Sequence, residues 1–351
     1  MHNKIVKIIY TTLVILLITS LPVLANNLTI TNVKLGSRNP VNKTVSVQFD
    51  ISWENSWKTK INHDAAWLTI RLNKSSDLSS EKKLCPIAVT GAVPIGLSTG
   101  SSSNIDIVVP KDLLGVFVRP AKFGPFSKIS STGVQVTVNY GACGFTDSDE
   151  IKANIFGLEM VYIPQGAFYA GDKLSTGSLK KGSADLNPWY ITSASLIPVT
   201  GVANNGYYYV SSGNDGENAT GSSFDISDEY PKGYNSFYVM KYEVNEGEWT
   251  GFVNSLAASA RANRDITDNQ HKGSDSVKFR NTVQCSGSPL VCGSDRPNRA
   301  LSYLSWQDLA AFLDWMTLRP ITELEYEKMA RGPVYPLEGE FAWGTTSIVP
   351  A

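Results

Sequence analysis

Between Ser305 and Arg331 the sequence spells out two capped amphipathic helices in succession, and no other stretch restricts the fold as tightly. Ser305 is followed three residues later by Asp308, a capping box with the shorter acid at its third position. Leu309, Phe312, Leu313 and Met316 then recur at i, i+3, i+4 and i+7, the apolar stripe of a half-buried helix. Pro320 stops that helix, because its ring cannot continue one. Thr322 and Glu325 form a second capping box. Glu323, Glu325 and Glu327 lie in the first turns, where the helix dipole favours negative charge. Upstream, Asn245 and Glu248 cap a third helix with the stripe Trp249, Phe252, Val253 and Leu256.

Strand periodicity dominates the first part of the chain. Val45, Val47, Phe49, Ile51 and Trp53 alternate strictly with Thr44, Ser46, Gln48, Asp50 and Ser52, the pattern of a half-buried strand. Residues 67–72, 105–109, 116–119 and 134–140 read the same way, with Gly, Ser, Asn and Pro between them. Several such strands without a helix signal predict an all-β sandwich of immunoglobulin type over residues 26–156. Trp53, Trp57 and Trp67 could form a ligand platform, but core packing is the commoner role for such residues. No catalytic constellation is visible there. The expected boundary is at Phe156-Gly157, so that residues 157–351 form a second unit. Within it, residues 172–233 read as a long, partly ordered loop rich in Gly, Ser and Asn, with strand-like pieces at 189–191 and 207–210. Residues 237–244 read as a strand leading into the Asn245 helix, and residues 257–296 as a second polar insertion.

Lys and Arg total 31 against 32 acids, so no basic bias points to nucleic acid or to an anionic lipid surface. Residues 1–25 read as a signal peptide: Lys4 and Lys7 make a positive start, residues 8–21 are apolar, and Val23-Leu24-Ala25 is a cleavage site. The alternative, an uncleaved anchor, is disfavoured by the short apolar run and Pro22. Export to the periplasm, cell surface or medium follows, with no stable membrane span after cleavage. In that setting Cys85, Cys143, Cys285 and Cys292 read as disulfides. Of three possible connectivities, pairing within each half is the simplest: Cys85–Cys143 and Cys285–Cys292. The alternative, a metal or redox pair, finds no zinc or thioredoxin spacing in the run Cys285 to Cys292. His63 and His271 read as surface or turn residues, which leaves a His-rich metal site or a Ser-His-Asp triad without support.

The second unit resembles the formylglycine-generating enzyme family, also called the sulfatase-modifying-factor domain. Met160 to Phe168 (MVYIPQGAF) is similar to the family's opening M-V-x-I-P-x-G-x-F. Phe237 to Asn245 (FYVMKYEVN), with Glu243, is similar to its strand F-x-[ILM]-x-x-[YT]-E-V-T. Pro297 and Ser305 to Ala310 (SWQDLA), with Trp306 and Asp308, resemble P-V-x-x-V-S-W-x-D-A. Arg319, Thr322 to Glu327, Ala330-Arg331-Gly332 and Ala342-Trp343-Gly344 resemble R-L-P-T-E-A-E-W-E-x-A-A-R-G and Y-P-W-G. Pro320-Ile321 and Tyr326 depart from those patterns, and both changes are structurally mild.

The resemblance implies an α+β fold of the C-type-lectin kind for the second unit. It covers the front part of the module, Leu158 to Gly344, and the chain ends seven residues later. The family's calcium positions and copper-binding cysteine pair belong after the Trp-Gly turn, so the module is expected to be C-terminally incomplete and no copper or calcium ligand is carried over. The matched residues Glu243, Trp306, Asp308, Arg319, Thr322, Glu323, Glu325, Arg331, Trp343 and Gly344 are expected to build the scaffold. The function expected is non-catalytic binding or assembly at the cell envelope, with envelope proteins or glycans as partners. Two other readings stay open. One is a formylglycine-generating or related oxidase whose catalytic part is missing from the chain. The other is a carbohydrate-binding or adhesion protein.

Overall fold

The computed structural model describes residues 27–77, 79–88, 91–92, 96–171, 180–181, 188–200, 207–208, 223–277, 281–341 and 345–347. The expected signal peptide therefore lies outside the described residues, as do Trp343 and Gly344 and the strand-like pair 209–210.

The described chain is mostly antiparallel β, with its helices in the C-terminal part. One sheet has the order β1 (Thr29–Asn39), β2 (Thr44–Lys58), β8 (Gly124–Asn139). A larger one runs β16 (Phe237–Met240), β9 (Ile151–Ile163), β3 (Asp64–Lys74), β7 (Val116–Pro120), β6 (Ile105–Val109), β5 (Gly91–Ala92). Strand β4 (Lys83–Leu84) adds to β3. The two sheets close on one core. The predicted alternation of β2 puts Val45, Val47, Phe49, Ile51 and Trp53 into it, all buried, against Val134, Val136 and Val138 of β8 and Leu68, Ile70 and Leu72 of β3. Trp53 and Trp67 are core residues, as the packing reading expects. The Trp53 indole donates to Asp64 at 3.1 Å.

The expected boundary at Phe156-Gly157 falls inside strand β9, which pairs with β3 from Ile151 to Val161 without interruption. The two units thus share a sheet instead of meeting through a linker. Strand periodicity explains how. In β3, Ala66, Leu68, Ile70 and Leu72 face the first core, while Trp67 faces a second core on the opposite side. In β9, Ile151 and Ala153 face the first core, and Leu158 and Met160 the second. With a core on each face, β3 is buried from Asp64 to Asn73, its polar Asp64, Thr69, Arg71 and Asn73 included.

Helices cover that second face. They are α1 (Glu246–Ser255) and α2 (Trp306–Trp315), whereas α3 (Glu323–Arg331) packs through Leu324 into a separate core; each of the three lies where its cap signal predicts it. Trp249, Phe252 and Val253 of α1 pack with Phe312, Leu313 and Met316 at α2, a stripe in which each fully buried side chain contributes roughly 2 kcal/mol. Asn245–Glu248 and Thr322–Glu325 make both bonds of a capping box. Ser305–Asp308 makes one, since Ser305 caps the Asp308 N–H while the shorter acid bonds the Ser305 hydroxyl instead of the backbone.

The insertion 257–296 reads as polar but supplies core. Its hairpin β17 (Val283–Ser286) and β18 (Val291–Ser294) carries the Cys285–Cys292 disulfide across directly paired positions. Ile266, Val283 and both cysteines join the α1–α2 core. These four side chains suffice for this, too few to show in composition. Cys85–Cys143 forms within the first unit.

The insertion 172–233 is also more built than a loop. Strand β10 (Phe168–Ala170) pairs with β12 (Trp189–Ile191). Strands β11 (Lys180–Lys181), β14 (Tyr207–Tyr208), β13 (Ile197–Thr200) and β15 (Phe224–Ile226) make a small sheet in that order, with β13–β14 parallel. Phe168, Trp189, Ile191, Ile197, Val199 and Leu324 of α3 form its core. Lys328 pins α3 there: its ammonium donates to the carbonyls of Pro164, Gly233 and Tyr234, and burial lowers its pKa to about 8.

Candidate functional site

The family-like motif residues divide between two places. Glu243, Trp306, Arg319 and Glu325 border a cleft of about 1000 Å³ between β16, α2 and the start of α3. Trp67, Phe117 and Met160 of the shared sheet form part of its floor, and Leu304, Leu309, Leu313 and Met329 line its helical wall. Trp306 is 64% exposed and Tyr326 51%, both on the cleft border, so two large aromatic side chains stand open to solvent there. Glu243 is exposed on the rim.

The charged motif residues at the cleft are already engaged. Arg319 forks onto Glu325 at 2.8 and 2.6 Å, and the same carboxylate accepts the Thr322 N–H at 3.0 Å. The hydrogen bond to Glu325 raises the Arg319 pKa against the opposing effect of burial. Glu323 opens α3 on its exposed side. The Arg319–Glu325 pair and the Thr322 cap fix the entry of α3.

Asp308 and Arg331 point elsewhere. Asp308 is buried on the far side of α2, where it accepts from Ser305, Arg264 and His271 at 2.7, 2.9 and 2.9 Å. Burial raises its pKa, but those hydrogen bonds outweigh burial and the net shift is downward. Arg331 donates to the Gly171 carbonyl at 2.7 Å and pairs with Glu340 at 2.6 Å.

Sequence reasoning missed three residues that matter. His271 is no free turn residue: its two ring nitrogens face Asp268 and Asp308 at 2.8 and 2.9 Å. Its D-x-x-H spacing after Asp268 was the only local hint. His63 stacks on Tyr162 and bonds the Tyr238 hydroxyl at 2.9 Å. Burial, with Arg119 and Lys58 nearby, lowers its pKa to about 4. Lys241, inside the Phe237–Asn245 motif, reaches back to Asp64 at 3.2 Å and Glu159 at 3.0 Å. Burial lowers its pKa, while Glu159 and then Asp64 raise it, with a net upward shift.

Among the described residues, no group of three or more His, Cys, Asp or Glu is placed to hold a metal ion. No helix among them is long and apolar enough to cross a membrane. Comparison with protein-family models, with curated proteins and with solved structures finds no match.

Proposed function

We propose that the chain is an exported binding or assembly protein of the cell envelope, non-catalytic, whose second unit is a formylglycine-generating-enzyme-like module on an immunoglobulin-like sandwich. The observation that carries this reading is the cleft. It is large and open, its lining is mainly aliphatic and aromatic, and its Arg319, Glu325 and Lys241 are consumed by ion pairs. Pockets of that make-up favour ligand burial over acid–base chemistry. The two disulfides support export, since such bonds persist in oxidising compartments. The test is a peptide assay: the full chain is incubated with copper and a sulfatase-motif peptide, and the cysteine is followed by mass spectrometry. No conversion to formylglycine is expected, and conversion overturns the non-catalytic reading.

One observation favours glycan binding as a second reading. Tyr169 stacks on Tyr190 with ring centroids 4.4 Å apart, and Tyr335, 41% exposed, meets Tyr169 edge-on. A glycan array read with the full chain and with Tyr335→Ala decides it. Uniformly blank binding removes this reading.

A further inference from the structure

Strand β16 is one edge strand of the large sheet. Strand β9 holds one of its edges, and no described strand holds the other. The Lys241 N–H donates to the Glu159 carbonyl at 2.8 Å, which makes that pair hydrogen-bonded. Bonded and non-bonded pairs alternate along an antiparallel ladder. Phe237 and Val239 therefore bond toward β9, and Tyr238 and Met240 turn their N–H and C=O groups to the open edge. Among the described residues these four groups have no hydrogen-bond partner. All four residues of β16 are half-buried and border the cleft. An open edge of this kind is a template for another strand.

The cleft beside that edge is apolar, but its rim is acidic. Lys241 is matched by Asp64 and Glu159, and Arg319 by Glu325. Asp112 and Glu243, both exposed at the cleft, have no cation in ion-pair range among the described residues. What remains uncompensated at the mouth is negative charge.

Resting on the binding reading above, we propose that the Tyr238–Met240 edge takes an extended polypeptide segment as an added strand, with apolar side chains in the cleft and a Lys or Arg against Glu243 or Asp112. Backbone hydrogen bonds give such a complex its affinity, and the cleft selects alternate side chains. A second copy of the same edge brings no free cation to this rim from Lys241 or Arg319, since both are already paired.

The test selects random 12-residue peptides displayed on phage against the full chain, then measures the enriched peptides in solution by fluorescence anisotropy. The expected sequences alternate apolar residues and carry Lys or Arg. Met240→Pro removes an N–H that faces away from β9, so the existing ladder keeps its bonds. It is expected to weaken binding about tenfold or more. Glu243→Lys, an exposed change that spares the fold, is expected to weaken it severalfold and to abolish the preference for basic peptides. Peptide binding should also slow hydrogen exchange at the Tyr238 and Met240 amides. No enrichment, or enriched peptides indifferent to both variants, overturns strand addition. Peptides that bind yet ignore both variants leave the broader binding reading standing. A dimer abolished by Met240→Pro assigns the edge to a second copy and also overturns the proposal.

Discussion

The Trp67 indole donates to the Met316 carbonyl at 2.9 Å, across 249 positions of sequence. Trp67 belongs to β3 in the first unit, and Met316 is the C-cap of α2 in the second. Arg71, also on β3, donates to the Trp315 carbonyl and lies 4.9 Å from the Trp315 ring centroid. Helix ends leave carbonyls without partners, and α2 has no basic residue in its last turn. Strand β3 supplies the missing donors and the missing positive charge. Trp67→Phe keeps a buried ring but leaves the Met316 carbonyl without this donor. The expected loss is about 2 kcal/mol of unfolding free energy, read from the urea midpoint. A loss below about 0.5 kcal/mol would show the bond to be incidental.

Lys241 is the second tie between the units. It reaches Asp64 on β3 and Glu159 on β9, both almost fully buried. Burial already raises the Glu159 pKa, although Lys241 opposes this. Lys241→Met leaves two buried carboxylates without their cation, for an expected loss of about 3–5 kcal/mol. Adding Glu159→Gln to Lys241→Met should recover part of that loss. Simple additivity of the two changes in chemical denaturation would contradict the coupling.

The two disulfides should differ in worth. Cys85–Cys143 spans 58 positions and Cys285–Cys292 only 7. In the chain-entropy account the longer loop constrains the unfolded chain by about 2 kcal/mol more. Replacing both cysteines of the first pair by Ser should therefore lower stability more than the same change in the second. Equal losses, or the reverse order, would argue against that account.

The two histidines shift in opposite directions from their ordinary value. His63 has a native pKa of about 4, below its unfolded value of about 6.5. Between those values the unfolded chain binds a proton that the native state refuses. Stability falls as pH drops through that window. His271 is the reverse case. Burial lowers its pKa, but hydrogen bonds from its ring to Asp268 and Asp308 outweigh burial and raise it. The stability it contributes is complete below about pH 6.5 and is lost as pH rises through the native pKa. His63→Gln should flatten the acid limb of a urea-midpoint profile, and His271→Asn the limb above about pH 6.5. An unchanged profile in either variant removes that histidine from the account.

The helices were legible from Asn245, Ser305 and Thr322, because a cap is a local interaction between residues three apart. Strand β2 was legible because one of its faces is more polar than the other. Strand β3 was legible as a strand, but its role was not. Thr69 and Arg71 look like an exposed face until α2 is placed over them, and only tertiary contact supplies that. For the same reason Phe156-Gly157 looked like a boundary. In the site, Arg319, Thr322 and Glu325 were found through short-range motifs. Lys241 and His63 were not, since they bond Asp64 and Tyr238 across 177 and 175 positions, and His271 was not, because Asp308, 37 positions away, completes its pairing with Asp268.

The central claim is that one sheet builds both units and, with them, the cleft. Trp67 and Phe117 of the first unit floor that cleft, so its shape depends on the shared sheet. The direct test is to express residues 157–351 alone and follow unfolding by circular dichroism and tryptophan fluorescence. Without β3 beside β9, without Trp67 and Arg71 at the end of α2, and without the carboxylate of Asp64 for Lys241, no cooperative transition is expected. The full chain should show one in which both probes coincide. A cooperative, two-state transition from the isolated 157–351 segment would contradict the shared-sheet account.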